Sequence, residues 1–515
     1  MSTQTPDAAA GDPITITYQT GADTIASITK KIELLVVACD PRNLIGICDY
    51  EKPERDVFDK LVNFTYHTSL LRVKGGPQSE YAVIFSPETM DRMNGQVYVF
   101  RNETVKTFGF AAANAMAENL VTVYQVNEIP WSAREFEEVL KQQLATIEWW
   151  PYGRTYGQDY EITDTVTTPY FDHFTIDDLA KGKDHTLPWQ FLDLQGKRKT
   201  IYAHASACFE SVLQCWQYAN MLLDPNNNFG VKLPERRDAP IVILGAGASG
   251  VLFANRLRDL NYTNVEILEV TDRSDGKIHT IVKDDPHPPG HNEPTYCELG
   301  CCYLSPAYDD LVTYLTPFLL GNERIPLATG ADADRFRGIV TTGQFNGWEP
   351  PVPYLMNFGQ YVLQKTKYEL GYAADYSDWK IKAEMFLALE TYNLQYPTFM
   401  GDTVPMPPQQ PNNFDQLGLK TFHQFLADNY LLALVGPLQY GYSVQGYGAL
   451  NDISAYYGLM WIPPTVINGM ICGSLCGTPV VTAWSKGWGD IWEQMKAGMK
   501  ITYNVTTTKI TRPPA

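Results

Sequence analysis

An α/β fold in two parts is what this 515-residue sequence predicts, on three observations. "PIVILGAGASG" joins an apolar strand, Ile241–Leu244, to a glycine-rich turn and a helix. "VEILEV" follows as a second strand with an acid, Glu269, near its end. The stretches on either side mix strand-like and helical patterns, as an α+β unit would. Hydrophobic residues make up 44% and charged residues 19%, a globular composition with ample material for a core. The length predicts more than one domain, or one large fold with a long insertion.

Charge and cysteine usage narrow the function classes. A formal net charge of −18 with no basic block argues against a nucleic-acid or anionic-membrane partner, since both need clustered Lys and Arg. Cys297, Cys301 and Cys302 crowd together, as do Cys472 and Cys476, but without the paired spacing of a zinc site. Packed free thiols and no metal are expected. The start shows no signal-peptide pattern and no apolar run reaches spanning length, so a soluble, cytoplasmic protein is expected. The 31 tyrosines and 11 tryptophans fit either large packed interfaces or an aromatic-lined pocket.

The central motif is the most specific signal. Gly245, Gly247 and Gly250 stand in GxGxxG spacing, with Ala248 and Ser249 between them. In that spacing the first glycine allows the tight turn and the second lets a pyrophosphate approach the backbone. The third lets the helix pack on the strand. The helix carries Val251, Ala254, Leu257 and Leu260 on one face, and its N-terminus favours phosphate charge. Glu269 lies about 20 positions past the glycines, where an acid grips a ribose hydroxyl. Strand, glycines, helix, strand and acid in this order predict a Rossmann-type dinucleotide unit.

The residues that follow carry a resemblance. "EVTDRSDGKIHT" (269–280) resembles the ExxxRxGGR extension of the flavin amine oxidase superfamily, matching at Glu269, Arg273 and Gly276. Asp275 stands in place of the first glycine of the pair and Lys277 in place of the second arginine. "YCELGCCYLSPAYDDL" (296–311) is similar to that superfamily's next flavin-contacting turn, with Glu298, Leu299 and Gly300 in register. The resemblance implies FAD as the cofactor, with Val270 beside the ribose-gripping acid.

It also implies an unusual chain order. "GWGDIWEQMKAGMKITYNVTTTKITRPPA" (487–515) looks like the superfamily's return to the FAD domain, while its closing parts are at the other end. "ITITYQTG" (14–21) and "KIELLVVACDPRNL" (31–44) resemble the strands that should come next. "FLDLQGKRKTIYAHASACFESVLQCWQYANMLLD" (191–224) looks like the final strand and the flavin-capping helix, which implies cofactor contacts at Ser211 and Val212. Phe209, Val212, Leu213, Trp216, Ala219 and Leu223 would form its apolar face.

A circularly permuted, amine oxidase-like two-domain flavoprotein follows. The expected FAD-binding parts are residues 1–48, 191–224, 239–324 and 481–515, with a linker at 225–238. The α+β substrate domain is expected at 49–190 and 325–480.

In the substrate part, "YAVIFSPE", "GQVYVFRN" and "NLVTVYQVN" are strand-like. Ser132 and Glu135 predict a capped helix over 132–147, and Thr421 with Gln424 another running on through Leu438. "VPMPPQQPNNF" (404–414) is too proline-rich for either element. The aromatic, nearly uncharged stretch 439–464 reads equally as a pocket over a flavin ring or as a helix pair in a core. With "PYFDHF" (169–174) it resembles a subgroup that contains polyunsaturated fatty acid isomerases.

The resemblance implies hydride abstraction from an apolar, unsaturated, fatty-acid-like substrate, ending in oxidation or isomerisation. A peroxide-producing amine or amino-acid oxidase, and a non-catalytic binding protein, stay open as alternatives. Arg42, Arg335 or Arg337 could hold a carboxylate. His204 stands where the family has glycine and Ala205 where it has glutamate, and His423 reads as structural. Catalytic residues and oligomeric state are not assigned by these patterns.

Overall fold

Four consecutive apolar residues at Ile241–Leu244 and four more at Leu34–Val37 need cover on both faces, the condition of strands inside a parallel sheet. The computed structural model places them side by side. It describes residues 12–21, 27–74, 81–86, 94–146, 159–181, 185–226, 231–327, 337–341, 354–401, 410–476 and 481–514. The five-stranded sheet runs Lys500–Thr502, Val265–Leu268, Ile241–Leu244, Leu34–Val37, Thr200–Tyr202, every pair parallel. Two of its strands come from the first 224 residues and three from beyond residue 239. The helices Val212–Leu223 and Ala248–Asp259 pack against each other on this sheet.

A three-stranded antiparallel sheet lies alongside, in the order Val505–Thr511, Ile14–Thr20, Ile28–Ile32. Thr511 pairs with Thr15, so the two ends of the described chain meet. A buried ion-pair network secures that junction. Arg512, with no exposed side-chain surface, pairs with Glu54 at 2.6 Å and with Asp49 at 2.9 Å, and Glu54 also accepts from Tyr202.

The second layer is a seven-stranded sheet, ordered Tyr354–Asn357, Arg337–Thr341, Ala82–Phe85, Asn94–Asn102, Glu118–Asn127, Leu61–Lys74, Tyr160–Phe174. It is antiparallel except where Arg337–Thr341 runs beside Ala82–Phe85. Its helix Ala133–Thr146 begins at the expected cap, with Glu135 accepting from the Ser132 amide at 2.7 Å. A buried charge cluster ties this sheet to the hairpin Thr280–Lys283/Thr295–Glu298. Glu103 binds Arg101 at 2.6 Å and Lys106 at 3.0 Å, and Arg101 also reaches the Glu298 carbonyl.

Three sequence expectations change. The capped helix at Thr421 ends at Asp428, where Tyr430 turns to φ 61°; a new helix runs Val435–Val444. Phe191 belongs to a short helix, Leu187–Leu192, leaving only Thr200–Tyr202 as the strand of that stretch. Phe209, at φ 105°, precedes the Val212–Leu223 helix instead of lying on its face; Gln214, Cys215 and Tyr218 are buried there with the aliphatic residues. Residues 404–409 of the proline-rich stretch, and the side chains of Cys472 and Cys476, lie outside the described residues. Among the described residues, no helix is long and apolar enough to cross a membrane.

Candidate functional site

The glycine turn leaves the Ile241–Leu244 strand at the carboxyl edge of the parallel sheet, where ligands of open α/β sheets bind. Gly245 takes φ 102°, and a Cβ there would stand 3.2 Å from the Ala38 backbone of the neighbouring strand. Gly250 is needed for proximity: its Cβ would meet the Gly245 carbonyl oxygen at 2.0 Å, so the helix Ala248–Asp259 lies directly on the turn. Gly247 is the N-cap of that helix and supplies no side-chain cap. Ala248 and Ser249 form its first turn. This end suits an anion by its free amides and dipole.

On one side of the turn lies the acid. The Glu269 carboxylate is buried and accepts from the Ala246 amide at 2.7 Å and from the Thr271 amide at 2.9 Å. Glu269 therefore braces the glycine turn. Val270 beside it is 69% exposed. Gly276 comes so close to Gly247 that a Cβ on it would be 2.9 Å from the Gly247 Cα. Arg273 pairs with Asp275, the replacement of the first glycine in the motif, and Asp275 also faces His279 at 3.3 Å.

Glu298, Leu299 and Gly300 are drawn into the frame of this loop. The Glu298 carboxylate accepts from the Trp488 amide at 2.6 Å and from Thr280 at 2.7 Å, and burial raises its pKa. Leu299 is buried, and Gly300 abuts the Lys277 carbonyl.

On the other side, beyond the ends of Leu34–Val37 and Thr200–Tyr202, a charged cluster gathers. Lys277 Nζ is 2.6 Å from Glu210, whose other oxygen accepts from the Phe171 amide at 2.9 Å. Burial opposes the Lys277 charge, but Glu210, Asp172 and Asp40 outweigh it and raise its pKa. Arg42 pairs with Asp40 at 2.6 Å, with Asp172, and with the Leu61 carbonyl at 2.9 Å. His204 caps the turn Ala205–Ala207 by accepting from the Ser206 amide, and its Nδ1 lies 3.9 Å from Asp172. Ser211 caps the Val212–Leu223 helix by accepting from the Gln214 amide at 3.2 Å, with Val212 buried behind it.

Beyond this cluster the two aromatic stretches meet. Phe171 contacts Phe209 at 5.2 Å, Tyr447 at 5.1 Å and Tyr457 at 5.6 Å between ring centroids. Tyr170 stacks on Tyr447, and Tyr447 donates to the Glu210 carbonyl at 2.9 Å. Apart from the half-buried Tyr170, these rings are buried and packed against one another. Arg42 has its guanidinium held internally and so does not stand ready for a substrate carboxylate. Arg335 and the Arg337 side chain lie outside the described residues. His423 pairs with Glu369 at 2.9 Å, a structural contact.

Asp40, Asp172 and Glu210 all lie within the stretches quoted above, but sequence reasoning gave none of them a site role. Their partners are distant in the chain, so no local pattern marks them.

The glycine turn and the uncapped helix fit the phosphates of a dinucleotide such as FAD. No protein-family model and no curated protein matches the sequence. Among solved structures, a CLA-producing fatty acid isomerase from P. acnes is similar at 18% identity over 53% of this chain and 52% of that one, with a TM-score of 0.35. A triple mutant of putrescine oxidase is similar at 15% identity over 52% of this chain and 50% of that one, TM-score 0.34. Cyclohexylamine oxidase from Brevibacterium oxydans IH-35A is similar at 15% identity over 52% of this chain and 51% of that one, TM-score 0.33. The chain thus spans about half the length of each of these structures.

Proposed function

We propose that the protein is an FAD-dependent oxidoreductase or double-bond isomerase that acts by hydride abstraction on an apolar, unsaturated, fatty-acid-like substrate. The observation that carries this is the glycine turn of Gly245, Gly247 and Gly250, set at the carboxyl edge of a parallel sheet. Gly247, Ala248, Ser249 and Gly250 would hold the phosphates with backbone amides. Glu269, flanked by Val270, would face the ribose, with Arg273 and Gly276 lining the turn. Ser211, Val212 and Lys277 would stand toward the ring end, while Glu298, Leu299 and Gly300 support the loop. When bound, the flavin supplies a hydride acceptor. The chain's own part is to keep that end dry with Phe171, Phe209 and Tyr447, and to hold the charge of Lys277 beside Glu210.

The same reading takes residues 1–48, 191–224, 239–324 and 481–515 as the FAD-binding domain, 225–238 as its linker, and the remainder as the substrate domain, in a circularly permuted order. The mixed origin of the five-stranded sheet and the pairing of Thr511 with Thr15 support it.

An amine substrate is favoured by one feature. Three carboxylates, of Asp40, Asp172 and Glu210, face two cations, Arg42 and Lys277, so the cluster carries a negative excess that suits an ammonium group.

The visible absorbance spectrum of the purified protein, before and after heat release of ligand, tests the common ground. Flavin bands are expected, and their absence after incubation with FAD would remove the enzyme reading. With polyunsaturated fatty acids, conjugated-diene absorbance should grow without oxygen uptake. Peroxide release on an amine panel would instead establish the oxidase.

A further inference from the structure

Among the described residues the longest helix is Asp378–Met400, and the cofactor reading gives it no role. Its inner side is explained by packing. Ile381, Met385, Leu389, Tyr392 and Tyr396 recur at helical spacing and are buried, and the two tyrosines donate to the Ile462 and Leu459 carbonyls at 2.6 and 3.1 Å. The outer side is not. Trp379, Phe386, Leu387 and Leu394 are 74%, 43%, 71% and 79% exposed. At 3.6 residues per turn these four fall on one stripe about 100° wide, the side on which a surface helix normally turns charge to water. A contiguous apolar patch of this kind marks an interaction site.

The stripe is also flanked by two charges, Lys382 one turn before Phe386 and Glu390 one turn after it. Neither has an ion-pair partner among the described residues, whereas Asp378 pairs with Lys367 and Glu384 accepts from the Tyr372 hydroxyl.

This pattern is complementary to itself. In an antiparallel pair of identical helices with a two-fold axis at Phe386, a residue before Phe386 on one helix faces the residue equally far after it on the other. Phe386 then meets Phe386, Leu387 lies against Leu387, and Trp379 faces Leu394. The same register sets Lys382 of each helix opposite Glu390 of the other copy, so both unpaired charges find opposite ones. An axis one turn away in either direction would set Lys382 or Glu390 against its own copy, and a parallel pair would do both. A stable dimer buries about 800 Å² per partner. The helix offers roughly 35 Å of length for that contact.

We propose that the outer face of Asp378–Met400 is the interface of a homodimer, packed antiparallel on the same helix of a second copy about a two-fold axis at Phe386, with Lys382–Glu390 ion pairs on both sides of the axis.

Analytical ultracentrifugation of the full-length protein tests this. At about 10 μM the protein should sediment at twice the chain mass. Leu387→Arg changes an exposed side chain, so the circular dichroism spectrum should be kept while the dimer dissociation constant rises about a hundredfold or more. Lys382→Glu and Glu390→Lys should each weaken the dimer about tenfold at low salt, and the double exchange should return it to within about threefold of the unaltered protein. A monomer at this concentration, or a dimer that Leu387→Arg leaves intact, would overturn the proposal. A double exchange no tighter than either single one would overturn the register and the ion pairs with it. A monomer that floats with phosphatidylcholine vesicles, and no longer does so as Leu387→Arg, would make the stripe a membrane contact instead.

Discussion

His67 lies fully buried, with Nδ1 2.7 Å from Thr167, Nε2 3.0 Å from Ser69 and its ring stacked on Phe136. Burial lowers its pKa to about 4, and does the same for His173, which lies against Phe171 and Tyr457. Both histidines stay neutral in the fold, whereas the unfolded chain protonates them below about pH 6.5. Stability is therefore lost as pH falls from about 6.5 to about 4, by about 3 kcal/mol for each residue at the acid end. Urea unfolding across this window should show the loss, and a His67→Gln variant should show a shallower slope. A His67 or His173 imidazole signal titrating near pH 6.5 in the folded protein would contradict the account.

Arg512 behaves in the opposite electrostatic sense. Burial alone would raise the Glu54 pKa, but the hydrogen bonds and charge of Arg512 outweigh it and hold that carboxyl below its ordinary value. The stability this contributes is present above the unfolded carboxyl value and is lost as pH falls through the folded one. Arg512→Met leaves Glu54 buried without its partner and should cost about 3–5 kcal/mol at neutral pH. A midpoint in urea within error of wild type would show that the pair is not what closes the chain ends.

At the scale of elements, the glycine turn and its two helices decide the site. Gly250→Ala forces a methyl group into the Gly245 carbonyl, so the helix Ala248–Asp259 must lift from the strand. The expected cost is about 1–3 kcal/mol, with flavin retention reduced about tenfold or more, read by equilibrium dialysis. Ser211→Ala removes the cap of the neighbouring helix and should lower stability by about 1 kcal/mol. These helices were legible because the glycines of the one and the apolar faces of both are local patterns. The break at Asp428 was not, since Tyr430 in the left-handed region leaves no mark in hydropathy. Neither was the hydrogen bond that the Glu269 carboxylate accepts from the Ala246 amide once the strands are assembled.

The whole molecule depends on both halves of the chain. Leu34–Val37 pairs with Ile241–Leu244 on one side and Thr200–Tyr202 on the other, so residues 239–515 alone lack two of the five parallel strands. That fragment should be insoluble when made by itself and should recover when residues 1–238 are made with it. A rearranged chain that begins at residue 231 and passes from residue 514 to residue 12 through a short linker should fold with a similar melting temperature. Soluble, cooperatively unfolding 239–515 on its own would count against a single shared sheet.

What could be read without coordinates was whatever neighbouring residues decide among themselves. The Ile241–Leu244 strand, the turn at Gly245, the helix cap at Thr421 and the apolar run at Leu34–Val37 are each set by steric freedom, hydrogen-bonding side chains or side-chain period over a few positions. The charged cluster was decided elsewhere. Lys277 meets Glu210 and Arg42 meets Asp172 across 67 and 130 residues, and the aromatic stretches 169–174 and 439–464 turn out to be packed on each other. Ion pairs and ring contacts at such separations follow from how the sheets and helices stack, and only folding brings their partners within reach.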